Sequence, residues 1–159
     1  IVDVCLADPD REEMEDMTAY LDVQVKKIKV PLMVDSTDAV GIEAALQRSQ
    51  GKALINSINL EDGEDRFAQV VPLAKRYGAA VVVGCIDEDP DQGKAVTRER
   101  KVQVARRSFD LLTDKYGLCP EDIIFDPLVF PLGTGDKNYV GAGEETIAGV
   151  RKIKEDLPT

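Results

Sequence analysis

Three polar residues stand where apolar runs end, and their types could do chemistry together. Asp35 closes Pro31-Leu-Met-Val-Asp35, Asn56 closes Ala53-Leu-Ile-Asn56, and Asp126 closes Ile123-Ile-Phe-Asp126 ahead of Pro127. Asp3 lies inside a further run, Ile1–Leu6, which leads to Asp8, and the run Ala79–Asp87 ends on Asp87. None of these runs contains Lys, Arg or His. A carboxylate buried at such an end has no cation beside it in the strand, which is costly unless a ligand donates hydrogen bonds to it. A heterocycle edge with N–H next to NH₂ donates two parallel bonds to one carboxylate, and an amide such as Asn56 can donate and accept at a second edge. Pterin and guanine both offer that edge; Mg²⁺ held by two carboxylates is the alternative, as in a metal-dependent barrel lyase. Taken singly, each residue also reads as a helix cap or turn former. The combination of Asp, Asn and Asp at three run ends favours a ligand, and spacing leaves its identity open.

Other chemistry is excluded by composition. The chain has no histidine, so Ser-His-Asp and Cys-His nucleophiles and every His-ligated metal site are ruled out. Cys5, Cys85 and Cys119 are far apart with no CxxC spacing, so neither a disulfide framework nor structural zinc is expected, and a reducing, cytoplasmic setting fits. Cys5 and Cys85, on apolar runs, read as small core hydrophobes. Asp and Glu number 30 against 20 Lys and Arg, a net charge of −10 that argues against a nucleic-acid partner. No apolar run approaches the ~18 residues that span a bilayer, and no basic leader precedes Ile1, so neither a membrane partner nor a signal peptide is expected. The basic cluster Arg98, Arg100, Lys101, Arg106 and Arg107 reads as a solvated helix face pairing with Glu99 and nearby acids. Gly133–Gly135 around Thr134 reads as a loop.

These residues need elements to position them. The five runs (Ile1–Leu6, Pro31–Asp35, Ala53–Asn56, Ala79–Asp87 and Asp122–Asp126) are rich in Val and Ile on both faces, as buried parallel strands are. Helical patterns separate them. Glu12–Ile28 carries a stripe of Met14, Met17, Leu21, Val25 and Ile28; Asp38–Arg48 has Thr37 or Asp38 as cap; Asp65–Tyr77 has Pro72 inside as a potential kink. Thr97–Tyr116 points Val102, Ala105, Phe109 and Leu112 inward and stops at Gly117, and Glu144–Leu157 carries Ile147, Val150, Ile153 and Leu157. Strand–helix alternation predicts a parallel α/β sheet, either a (β/α)₈ TIM barrel or an open doubly wound sheet. Long polar segments follow the strands (Ala7–Asp10, Asn59–Asp62, Glu88–Val96 and Pro127–Gly143), as both architectures require. No GxGxxG or Walker loop follows the first strand, which favours the barrel. A whole barrel takes ~250 residues, so the chain is expected to be one domain, residues 1–159, holding an incomplete barrel of five strands and five helices.

The stretches PLMVDST, GKALINSINLEDGEDRF, RYGAAVVV, TRERK and PEDIIFDPLVFPLGTGD resemble the pterin-binding (methyltetrahydrofolate) domain family of cobalamin-dependent methionine synthase. They are more distantly similar to methyltetrahydrofolate:corrinoid protein methyltransferases and to dihydropteroate synthase. The resemblance covers nearly the whole chain. It implies a pterin-binding barrel of which these are approximately strands two to six, with 5-methyltetrahydrofolate as substrate and its methyl group passed to a reduced corrinoid, cobalamin, on a partner module. It implies pterin contacts at Asp35, Asn56 and Asp126, and at Asp3 as the polar end of the chain's first strand, since Cys5, further along that strand, stands where relatives often have asparagine. It assigns no proton donor and no metal. The family's first strand, with a Glu and an Asn, and its seventh, with an Asn near the methyl-bearing nitrogen, would lie outside residues 1–159. The second reading of the basic cluster is a contact for the partner module or for a folate glutamate tail. The alternative functions are a dihydropteroate synthase-like pterin enzyme, which would carry a Gly-Gly-Glu-Ser-Thr loop where this chain has Ala7-Asp8-Pro9-Asp10, and a non-catalytic barrel fragment whose strand-end residues are only caps and turns. Five strands leave two open edges, so residues 1–159 alone are expected to associate through them and to bind folate weakly.

Overall fold

The computed structural model describes residues 1–8 and 10–159; Pro9, and with it part of the segment compared with the synthase loop, lies outside the described residues. Five parallel strands alternate with five α-helices: β1 (Val2–Val4), α1 (Glu13–Gln24), β2 (Leu32–Asp35), α2 (Ala39–Arg48), β3 (Leu54–Leu60), α3 (Asp65–Tyr77), β4 (Ala80–Asp87), α4 (Arg98–Asp110), β5 (Ile123–Asp126) and α5 (Ala142–Asp156). The sheet order is β1-β2-β3-β4-β5, each strand pairing in parallel with the next in sequence. Sequential order with a helix after every strand is the arrangement of a (β/α)₈ barrel, here an open five-strand arc.

Val4, Leu32, Val34, Ile55, Ile58, Leu60, Val81, Val83 and Ile123 face the helices and form the main core with Met17, Leu21, Ile42, Phe67, Val70 and Leu112. A second cluster joins Cys85, Ala95, Val104 and Ala105 to Ile153 and Leu157 under α4 and α5. Because side chains alternate along a strand, the other face carries Asp3, Met33, Asp35, Leu54, Asn56, Ala80, Val82, Gly84, Ile124 and Asp126.

Helix ends follow their sequence signals. Asp38 caps α2, accepting from the amides of Val40 at 3.0 Å and Gly41 at 2.9 Å. Thr97 caps α4 through Arg100 N–H at 3.3 Å, and α3 stops at Gly78 in the left-handed conformation, φ 67°. Pro72 leaves α3 assigned as one continuous helix. Both Pro72 and Ala68, whose carbonyl it cannot bond, are exposed, so water can serve that carbonyl.

Several boundaries differ from the pattern in the sequence. β1 is three residues long, and Cys5, beyond its end, is exposed rather than in the core. α1 stops at Gln24, four residues before Ile28, and Met14 of its stripe is exposed. β3 runs on past Asn56 to Leu60. Helix α4 passes at Leu111 into a wider π turn, Leu111–Lys115. Its inward residues are Lys101, Val104, Ala105 and Ser108, while Val102 is only half-buried. On α5, Ile153 and Leu157 are buried but Ile147 and Val150 are exposed, because the helix turns Ala142, Thr146, Gly149 and Ile153 towards the protein.

Candidate active site

Asp35 and Asn56 are direct register partners on β2 and β3. Asp3 pairs with Met33, two residues before Asp35, so it lies diagonally beside Asp35 on the same face. Asn56 faces Val82, Val82 faces Ile124, and Asp126 faces Gly84 one step further along. The face therefore joins all four predicted residues, but not evenly. Asp35 and Asn56 are neighbours, whereas β4 separates Asn56 from Asp126 by two strand spacings, about 10 Å. Small residues, Ala80, Val82 and Gly84, floor the gap.

Asp35 is not a cap; that work at the end of β2 is done by Asp38, and Ser36 Oγ accepts from Asp38 N–H at 2.9 Å. Asp35 is half-buried, and that burial, reinforced by the charge of Asp3, raises its pKa above the ordinary carboxylate value. The loop after it is clamped from α3: the Arg66 guanidinium donates to Ser36 O at 2.8 Å and Thr37 O at 2.5 Å.

Asn56 sits mid-strand, half-buried, next to a bulge. Its peptide bond to Ser57 is cis. Asn56 pairs with Val82 and Ile58 with Val83, so Ser57 is an extra residue. The bulge rephases β3, sending Ile58 into the core and Asn59 to the polar face, where its Cβ lies 3.8 Å from the position a side chain on Gly84 would occupy. Asn59 is thus a second amide on this face, hidden in the sequence because strict alternation would turn it towards the core.

Asp126 is exposed and half committed to a turn: its Oδ1 accepts from Leu128 N–H at 2.9 Å, and Leu128 has a positive φ of 61°. The turn-former reading therefore holds for Asp126, and its second carboxylate oxygen, Oδ2, is not used in that turn. Asp87, by contrast, faces the helices. Its carboxylate is buried and takes two bonds from Arg100 at 2.7 and 2.8 Å, with Arg107 at 3.6 Å. The basic cluster on α4 is therefore not simply solvated: Arg100 closes a buried ion pair and Lys101 is wholly buried.

Beyond Ile86, next along the polar face of β4, a cleft of about 670 Å³ is lined by Glu61, Asp87–Asp91, Phe130, Asn138 and Tyr139. Phe130 and Tyr139 stack with ring centres 4.8 Å apart. Among the described residues, no three His, Cys, Asp or Glu side chains gather as metal ligands, and no helix is long and apolar enough to cross a membrane.

A sequential parallel arc with carboxylates and amides on its helix-free face defines a barrel-type α/β domain with a polar floor at the carboxyl ends of its strands. Comparison with known families gives the particular: the family described as pterin binding enzyme matches residues 1–158, and the chain belongs to it. It is a pterin-binding enzyme domain.

Proposed function

We propose that the chain binds 5-methyltetrahydrofolate and presents its methyl group to a reduced corrinoid, cobalamin carried by a separate module or protein, as a step of methionine synthesis in the cytoplasm. Family membership supports the pterin, and the resemblance to methyltetrahydrofolate domains supports the methyl donor. The observation that carries the site is the adjacency of Asp35 and Asn56 on the helix-free face, with the hydrogen bonds at the end of β2 made by other residues.

Asp35 accepts from the amidine-like edge of the pterin, Asn56 donates and accepts beside it, and Asp126 closes the far side, with Asp3 at the margin. The remote contacts fix the ring so that the methyl-bearing nitrogen is aimed at the acceptor, a contribution of orientation rather than of bond making. Protonation of that nitrogen makes the folate a leaving group, and none of these residues is assigned as the proton donor.

Two substitutions at one position test this. Asp126→Asn keeps an oxygen for Leu128 N–H but removes the charge; Asp126→Ala removes both. A turn former alone predicts that Asn is neutral and Ala costs about 1 kcal/mol of stability, with affinity unchanged in both. A pterin contact predicts that 5-methyltetrahydrofolate binding, measured by calorimetry on the whole protein, weakens in both, by about 1.5–3 kcal/mol in the alanine variant. No measurable binding by the unsubstituted protein would end the proposal.

A further inference from the structure

Among the described residues Lys101 is the most deeply buried charged side chain, and its surroundings are built around it. Its Nζ donates to the backbone carbonyls of Ala95 at 2.8 Å, Pro127 at 2.5 Å and Leu128 at 3.2 Å, which uses all three ammonium protons. It lies 5.1 Å from the centre of the Phe130 ring. The stem passes over Gly149 of α5, where an added Cβ would come within 2.8 Å of Lys101 Cδ. Thr146, one turn earlier, donates from Oγ1 to Leu128 O at 3.1 Å. Desolvation lowers the lysine's pKa, while Cys85, Asp126 and Glu145 oppose that; among the described residues no carboxylate bonds it directly.

Two of the three carbonyls it holds belong to the two residues after Asp126, Pro127 and Leu128; the third, of Ala95, precedes α4. Leu128, held by its oxygen, donates its N–H to Asp126 Oδ1. A chain of hydrogen bonds therefore runs from the ammonium through the Pro127 and Leu128 peptides to the carboxylate. We infer that Lys101 is a positioning residue for the pterin site: by fixing the left-handed turn at Leu128 it aims Asp126 across the polar face. The inference rests on the proposed role of Asp126 and assigns Lys101 no contact with the ligand.

The test is a set of double substitutions in the whole protein, read as Kd for 5-methyltetrahydrofolate. Lys101→Met keeps the stem and removes the ammonium; binding is expected to weaken about tenfold. In an Asp126→Ala background the same change should add almost nothing, while in an Asp35→Asn background it should again cost about tenfold. Equal losses in all backgrounds would mark a general weakening of the fold and overturn the inference. Amide hydrogen exchange gives a reading that does not depend on the ligand: Lys101→Met should speed exchange at Leu128 and leave β3 unchanged, and protection retained at Leu128 would also overturn it. If Lys101→Met does not fold, Gly149→Ala, which pushes on the stem instead, carries the same two measurements. Exchange faster at Leu128 with Asp126→Ala neutral for binding would sink the pterin role of Asp126 and leave the chain of hydrogen bonds standing.

Discussion

Asp35 is held half-buried beside Asp3, and burial first, then the neighbouring charge, lifts its pKa. Between the unfolded value, about 3.9, and that raised value the native state binds more protons than the unfolded chain, so stability falls as pH rises through the window. The ionised carboxylate is thus a burden on the ligand-free fold and an acceptor for the proposed ligand. Asp35→Asn is expected to raise the thermal midpoint of the ligand-free protein at neutral pH and to weaken 5-methyltetrahydrofolate binding. In the unsubstituted protein, affinity should decline on acidification at a higher pH than an ordinary aspartate would give. Thermal unfolding with and without ligand across the acid range checks both; a lowered midpoint with unchanged affinity would make Asp35 a scaffold residue.

At the scale of elements, the loop after β4 is tied down by charge. Asp87 and Arg100 form a buried pair, Glu88 takes two bonds from Arg107 at 2.7 and 3.0 Å, and Asp89 accepts from the amides of Asp91 and Gln92. Gly93 is required there, since an added Cβ would meet Asp89 O at 2.5 Å and Asp87 O at 2.7 Å. Removing one member of a buried pair strands the other, so Asp87→Leu or Arg100→Met alone should cost about 3 kcal/mol in urea unfolding, and both together less than the sum. An additive result would show that the pair is not coupled. This element also shows what could be foreseen. Apolar runs ending in Asp35, Asn56 and Asp126 were visible because a parallel strand buried on both faces leaves few positions for a polar residue. The partners were not visible. Lys101 and Arg100 follow a charged helix signature, and only the fold brings Pro127, Leu128 and Gly149 against the first and Asp87 against the second. Asn59 was missed for a different reason, a single extra residue that shifts the phase of β3.

For the whole molecule, the arc exposes at β5 and α5 what the other strands bury. Ile124 is 42% exposed, Ile147 58% and Val150 47%. Val150 shares an apolar groove of about 330 Å³ with Ile123, Ile124, Phe125, Pro127 and Ile153. At the opposite side Ile1 and Val2 are exposed on β1 and beside it. An uncovered strand edge offers backbone donors and acceptors together with apolar side chains, and an apolar patch adds a driving force of ~25 cal/mol for each Å² it buries. Residues 1–159 produced alone are therefore expected to associate, with sedimentation velocity showing species larger than monomer and growing with concentration. Ile147 and Val150 lie three apart on one face of α5, so Ile147→Lys with Val150→Lys should suppress the larger species while leaving the helix content of the circular dichroism spectrum unchanged. If the double variant associates as before, the β1 edge carries the contact instead. If the unsubstituted chain stays monomeric at high concentration and binds 5-methyltetrahydrofolate tightly, five strands suffice to make the site and neither edge needs a cover.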